Sequence, residues 1–581
     1  MKVSVQGQGS VTLLQADFVA SGGEGSIYCK GGTAYKIYAD PKRMVPVGKI
    51  SELAAISDLD VIKPEAVVLD GKSMPIGYTM RFVRDTMPLC QVFTRSFRER
   101  EGLDHQAMLG LIQSLQARVE GVHRGGAVVV DLNEMNFLVD RRFVKVMAID
   151  VDSYQTKSYQ ASAIMPSIRD WTVKPQERFT ELSDWFSFAC VAFQMFVGIH
   201  PYKGQHALKG FEARMRANAS VLGPGVSVPS VVYPFSVIPS GYLGWFRAVL
   251  QEGKRMPPPT DPLASTGPVA TVVPLQPSSA IDMLEILSMG QPILGLQDAG
   301  GVQIAWTSKT VSIDGRMSAM SGVVAVAFSA KLNAPVFVVG DQRKCALHLS
   351  VHGGTAGAAP LLDLGHLPGL DVMGYRGRIY LRSGTAIVEL VLHETADGKV
   401  MVQPTTVANV MEHATQMFDG VVVQSMLGAT YASVFPTSRH HQQVRLADLD
   451  GLKIVDAKYD GGVLMVIAAA GGRYDRWTFG IAPGAEHATL IEKVEDVGTG
   501  GLNFVVLDSG VCVHFTEDDQ LEMWSAREFQ LEVWSAQKLG VSGPVAKKRV
   551  DVQSNGLRLV RRKGGLAGIR GSAAYVMRMK P

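Results

Sequence analysis

The chain has 581 residues, with 57 lysines and arginines against 54 aspartates and glutamates, a formal net charge of +3. That charge is too small for this length to make nucleic acid or a membrane surface the main partner. Hydrophobic residues at 46% and charged residues at 19% exclude a disordered chain, and the length allows about three to four domain-sized units.

Cys29, Cys90, Cys190, Cys345 and Cys512 lie far apart, with no CxxC pair. This excludes an obvious zinc site and a disulfide scaffold, and fits a reducing cytoplasm. The N-terminal stretch MKVSVQGQGS is polar and lacks the apolar run of a signal peptide.

In chain order, residues 11–38 read as strand, glycine turn, strand, turn and strand. Residues 105–122 carry helical apolar spacing. The longest apolar run, Trp185 to Ile199, is shorter than the roughly 20 residues a membrane span needs, so it reads as a buried helix. Ser183 and Asp184 are its expected N-cap residues, and Gly198 and Pro201 its stop. Prolines at 257, 258, 259, 262, 268, 274 and 277 then break the chain into an extended linker over 257–280.

Beyond the linker, short β-rich runs alternate with glycine turns at Gly340, Gly384, Gly428, Gly471 and Gly510, with Gly300 and Gly556 as possible flanking members. A spacing of 44, 44, 43 and 39 residues between the first five fits the blades of a β-propeller, about six or seven of them, over 281–581. An ordinary pair of β-sandwiches is the alternative. LEMWSA at 521–526 and LEVWSA at 531–536 are too close to be blades and read as a local duplication. Arg439-His440-His441 reads as a solvated loop rather than a metal site. Lys547-Lys548-Arg549 and Arg561-Arg562-Lys563 read as solvated faces.

Three segments of the N-terminal half carry chemistry. In Ala20-Ser21-Gly22-Gly23-Glu24-Gly25-Ser26-Ile27-Tyr28, glycines at a turn between strands let backbone N–H groups approach phosphate oxygens with no Cβ in the way. Nine residues after Ile27, Lys36 on the next strand can reach the α- and β-phosphates of a nucleotide. Asp131 and Asn136, in a D-x-x-x-x-N spacing, put on one loop a carboxylate to accept a hydroxyl proton and an amide to bind Mg²⁺. The apolar run Met147-Ala148-Ile149 ends in Asp150, a carboxylate suited to Mg²⁺.

Together these segments resemble the eukaryotic-like (Hanks-type) protein kinase domain, over nearly all of residues 10–256. GGEGSIY, YKIY, VDLNEMN and IDVDSYQ are closer still to a divergent bacterial branch. That branch is often encoded beside a von Willebrand A-domain protein and a metal-dependent phosphatase, which the resemblance offers as partners alongside a protein substrate. It implies an α+β two-lobed fold, with an N-lobe over about 10–83 and a C-lobe over about 84–256, and ATP and Mg²⁺ as cofactors.

Carried over by position, the resemblance implies that Gly22, Gly23 and Gly25 cover the phosphates and that Lys36 holds them. Glu52, the only acidic residue between Pro41 and Ser57, would pair with Lys36. Met80 falls at the gatekeeper, Arg81 to Val83 at the adenine-binding hinge, and Ile27 and Phe82 among the nucleotide contacts. Asp131 would be the base, and Asn136 and Asp150 the metal ligands. Glu177 and Arg255 would form a buried ion pair, and Asp184 would brace the catalytic loop.

The chain departs from the pattern at four places. Ala20 replaces the first loop glycine, Val129-Val130 a His-Arg pair, Asn133 a lysine, and Val151-Asp152 a Phe-Gly pair. The expectation is a Ser/Thr protein kinase whose β-domain recruits partners or substrates. A nucleotide-binding scaffold with little phosphotransfer, and a transferase acting on a non-protein acceptor, stay open beside it.

Overall fold

The computed structural model describes residues 1–260, 281–299, 301–330, 334–340, 348–353, 362–366, 371–397, 399–470, 473–498, 501–518, 520–526, 547–550, 552, 554 and 556–580. The chain divides into two compact units, the first holding most of residues 1–272 and the second most of 273–581.

The first unit opens with strands β1 (Lys2–Val5), β2 (Gly9–Thr12), β3 (Phe18–Ser21), β4 (Gly25–Lys30) and β5 (Thr33–Tyr38). Helix α1 (Val47–Leu53) and strands β6 (Val67–Leu69) and β7 (Pro75–Arg81) follow. The strands form one seven-stranded sheet in the order β2-β1-β6-β7-β5-β4-β3. Its alternation decides the two faces. Tyr35 packs with Val3, Val5, Leu13, Val68 and Ile76 on one side, while Tyr38 and Tyr78 join Val45, Ile50 and Val67 on the other.

Then come β8 (Thr86–Pro88), α2 (Arg95–Glu101), α3 (His105–Arg124), β9 (Phe137–Asp140), β10 (Val146–Ala148), α4 (Glu181–Val197), α5 (Phe211–Arg216) and α6 (Ser240–Phe246). Asp104 caps α3, its carboxylate accepting from the Ala107 N–H at 2.8 Å. Met108, Leu111, Ile112, Leu115, Val119 and Val122 follow at helical spacing, and all are buried. Helix α4 is buried on every side from Ser183 to Val197, as the uniformly apolar run anticipates. It starts at Glu181 with Thr180 as its cap, earlier than Ser183 and Asp184 suggested, and ends at Gly198 with φ 81°. Both helices, with β9 and β10, share one core.

The second unit is all β. Its strands form seven four-stranded antiparallel sheets among the described residues. Six are meanders of consecutive strands, lying within 295–319, 323–366, 372–409, 415–445, 453–494 and 504–550. The seventh joins the two ends: Ile281–Ser288 pairs with Ala573–Met579, beside Gly565–Arg570 and Arg558–Arg562. Consecutive sheets pack through shared apolar clusters, such as Val302, Ile304 and Val311 with Val326 and Phe337. Ile379 and Leu381 likewise meet Val336 and Val338. The 504–550 sheet meets the end sheet through Val505, Val513, Leu559 and Met577.

The glycine period follows these sheets. Gly340, Gly384 and Gly428 fall between the second and third strands of successive sheets. Gly510 falls instead between the first and second strands of its sheet, which accounts for the short last interval. Gly300, Gly471, the LEVWSA copy at 531–536 and the linker beyond 260 lie outside the described residues. The basic groups are more tied down than expected: Lys547 and Arg549 bond buried Glu522, and Arg562 pairs with Asp298 at 3.0 Å. Among the described residues no helix is long and apolar enough to cross a membrane.

Candidate active site

Strands β4, β5 and β7 set up one wall of the site. Ile27 and Tyr78 lie opposite Lys36 in the two ladders, and Met80 lies opposite Ala34. Directly paired residues share a face, so Ile27, Lys36, Tyr78 and Met80 line the same side of the sheet. Phe82, just past β7, donates its N–H to the Gly32 carbonyl at 3.2 Å.

The glycines ahead of β4 are not equivalent. A Cβ on Gly25 would lie 2.1 Å from the Ile37 carbonyl oxygen, so β5 itself requires glycine there. A Cβ on Gly22 or Gly23 would meet nothing within 4 Å, so no neighbouring protein atom demands glycine at those two positions. Glu24, between Gly23 and Gly25, folds the turn onto β5, with its carboxylate 3.1 Å from the Lys36 ammonium.

Lys36 is buried and reaches across to the turn after β10. Its Nζ lies 3.0 Å from Asp150 Oδ1 and 2.7 Å from Asp152 Oδ2. Burial works against its charge, but Asp152 and Asp150 outweigh this and hold the ammonium above the ordinary lysine range. Asp150 sits in the left-handed region at φ 58°, and a single 3₁₀ turn, Val151–Ser153, follows it. Asp152 is buried. Its Oδ2 also accepts from the Tyr38 hydroxyl, and its main-chain carbonyl accepts from Lys49 Nζ at 2.7 Å. Burial alone would raise the Asp152 pKa, yet the Lys36 charge and the side-chain hydrogen bonds from Lys36 and Tyr38 hold it below the usual carboxylate value. Carboxylate oxygens of Glu24, Asp150 and Asp152 lie within 4.8 Å of one another.

The loop carrying Asp131 and Asn136 lies beside this turn. Ile149 N–H donates to the Asn136 carbonyl at 2.9 Å, at the open end of the β9–β10 hairpin. Asn136 Nδ2 donates to the Asp131 carbonyl at 3.0 Å and to Asp131 Oδ2 at 3.2 Å. Asp131 Oδ1 accepts from the Met165 N–H at 2.8 Å. Asp184 of α4 supports the loop, taking the Val129 and Val130 N–H groups at 2.7 and 2.8 Å and facing His123 Nε2 at 2.8 Å. Val130 has φ 64°, a conformation costing about 1–3 kcal/mol, which these two bonds hold in place. Asn133, where the resemblance has a lysine, is buried and caps the turn by accepting from Met135 N–H at 2.9 Å.

Two expected pairings are corrected. Glu52 does not pair with Lys36. Its carboxylate accepts from the Ser158 N–H at 3.1 Å, while Lys49 of the same helix points inward to Asp152. Glu177 does not pair with Arg255 either. Arg255 binds Asp170 through two bonds of 2.6 and 2.8 Å, and Glu177 lies at the surface against Lys174. The sequence reading gave no role to Glu24, Tyr38, Lys49, Asp152 or Asp170. The double aspartate in IDVDSYQ was the one available sign of the second carboxylate.

No protein-family model matches the chain, and no curated protein matches it. Among solved structures, the kinase PK-1 of Cydia pomonella granulovirus resembles part of it. The TM-score is 0.31 at 16% identity, covering 41% of this chain and 86% of that one.

Proposed function

We propose that residues 1–256 form an ATP- and Mg²⁺-dependent protein kinase directed at Ser or Thr hydroxyls, with a two-lobed kinase-like fold. The carrying observation is the meeting of Lys36 Nζ with Asp150 Oδ1 at 3.0 Å, on the sheet face beside the Gly22-Gly23 turn.

The side chains fit the cofactors. Carboxylate and amide oxygens suit a hard cation, and the backbone bond from Ile149 to Asn136 sets Asn136 beside the residue that precedes Asp150. The Asn136 nitrogen is committed to Asp131, so its Oδ1 would be the ligand atom. Gly22 and Gly23 leave the space in which backbone N–H groups can meet phosphate oxygens. Mg²⁺, when bound, would offset charge on the β- and γ-phosphates. Lys36 would hold the α- and β-phosphates in line, and Asp131 would orient the acceptor hydroxyl and take its proton.

For residues 281–581 we propose a seven-bladed β-propeller that recruits a partner or the protein substrate. The observation that supports this reading is that the seventh sheet takes strands from both ends of the unit, Ile281–Ser288 pairing with Ala573–Met579, which is how a propeller would be closed. A von Willebrand A-domain protein and a metal-dependent phosphatase are the partners proposed from the resemblance.

A second reading, a nucleotide-binding scaffold, has its own support. The Met165 N–H occupies Asp131 Oδ1, and Asn133 supplies no cation beside it. Incubation with Mg·[γ-³²P]ATP and a generic protein substrate separates the two. The kinase reading expects label on Ser or Thr that Asp131→Ala abolishes. Tight ATP binding with no transferred label favours the scaffold, and label that survives Asp131→Ala rejects the assigned base.

A further inference from the structure

We infer that Asp152, rather than an acidic residue of helix α1, is the positioning residue for Lys36, so that the lysine is set without any swing of that helix. The inference rests on the nucleotide-site reading above and deepens it.

Lys36 touches three carboxylates, and they differ in kind. The side chains of Glu24 and Asp150 are 46% and 43% exposed, whereas that of Asp152 is 4% exposed. Exposed acceptors are open to displacement by an arriving phosphate or to capture by a cation; the buried one is not. Asp152 is also fixed from two sides. Its carboxylate takes Lys36 and the Tyr38 hydroxyl, both on β5, and its main chain takes Lys49 from α1. The ammonium therefore keeps one acceptor at 2.7 Å whatever occupies the open side.

Helix α1 is arranged against the alternative. Lys49, buried, fills the approach to Asp152. Glu52 is engaged with Ser158, and Gly48 lies so close to Tyr159 that a Cβ there would sit 2.4 Å from its hydroxyl oxygen. A carboxylate at the position of the Lys49 amine would add a fourth negative charge to Glu24, Asp150 and Asp152, whereas the amine offsets one of the three. The anchor of Lys36 and the metal ligand Asp150 are two residues apart on one short turn. Lysine anchor and candidate metal ligand therefore share one turn, which Lys49 of α1 braces through the Asp152 main chain, so the site is set by that turn and not by a carboxylate from α1.

The test is a double-mutant cycle on Mg·ATP affinity, measured by calorimetric titration of the full chain, with melting curves confirming that each variant folds. Lys36→Met and Asp152→Asn are each expected to weaken binding about tenfold, and the double variant no more than Lys36→Met alone, because both changes remove the same interaction. Glu52→Gln is expected to stay within about twofold, and Asp152→Glu to recover part of the loss if Asp152→Asn folds poorly. Additive losses near a hundredfold in the double variant, or a Glu52→Gln loss matching Lys36→Met, would overturn the inference while leaving nucleotide binding intact. A wild-type chain that binds no Mg·ATP would overturn the nucleotide reading itself, and this inference with it.

Discussion

The ammonium of Lys36 lies 3.0 Å from Asp150 Oδ1, a residue 114 positions further along the chain. The contact ties the seven-stranded sheet to the turn that follows β10, and it gathers cation, carboxylates and glycine turn at one place. Asp150→Asn is expected to lower phosphotransfer at least about a hundredfold, since the amide is a poorer ligand and leaves transition-state charge less well offset. A folded variant with wild-type turnover would remove Asp150 from the mechanism.

The glycines give a prediction with two halves. Gly25→Ala is expected to lower the melting temperature, because its Cβ would be driven into the Ile37 carbonyl at 2.1 Å. Gly22→Ala and Gly23→Ala meet no protein atom, so they are expected to melt within a degree or two of wild type, roughly the ±0.5 kcal/mol of a neutral surface change. Their effect should appear in Mg·ATP affinity instead. Loss of stability without loss of affinity in these two would contradict a phosphate role.

Asp170 and Arg255 are largely buried and doubly bonded to each other, and Arg255 also lies 4.3 Å from the Phe186 ring centroid. Asp170→Ala leaves that guanidinium without its anion and is expected to cost about 3–5 kcal/mol in denaturant unfolding. Glu177→Ala, at an exposed pair, is expected to change stability by less than about 0.5 kcal/mol. The reverse ranking would restore the pairing expected from sequence.

His200 supplies a pH dependence. It is buried, faces the Ser167 carbonyl through Nε2 at 2.8 Å, and has Nδ1 3.2 Å from the Tyr202 N–H. Its ring is therefore neutral in the fold, with the proton on Nε2. Burial, reinforced by the charge of Lys203, lowers its pKa from 6.5 to about 3. The unfolded chain thus binds a proton that the folded one refuses. The stability His200 contributes is complete above pH 6.5 and declines as pH falls towards about 3, by up to roughly 1.4 kcal/mol per pH unit. Urea titrations at pH 7, 6, 5 and 4 should show the decline, and His200→Gln should flatten it. An unchanged slope in that variant would assign the acid sensitivity elsewhere.

Much of this was legible in the sequence where local chemistry decides. The 3.6-residue apolar spacing over 105–122 marks α3, and the 44-residue intervals between Gly340, Gly384 and Gly428 follow three successive sheets. Lys36, Asp131, Asn136 and Asp150 were legible as a set because order and spacing survive in one dimension. Rotation and loop pairing were not. Glu52 and Lys49 are three residues apart on a seven-residue helix, and nothing in composition says which is drawn inward. The answer depends on the carboxylates already gathered at Asp150 and Asp152, which favour an amine. Asp170 and Glu177 both lie in irregular chain without periodicity, so the choice between them as partner of Arg255 is made only by tertiary packing. Gly25 looked like its neighbours, Gly22 and Gly23, because a close backbone approach leaves no mark in sequence.

The most direct test of the central claim is a structure of the chain with Mg²⁺ and a non-hydrolysable ATP analogue. The expected result places Lys36 Nζ against the α- and β-phosphates, with Asp150 and Asn136 Oδ1 on the cation and the Gly22-Gly23 turn over the triphosphate. A nucleotide bound elsewhere, or one bound with Lys36 and Asp150 still paired to each other and touching neither phosphate nor metal, would contradict it.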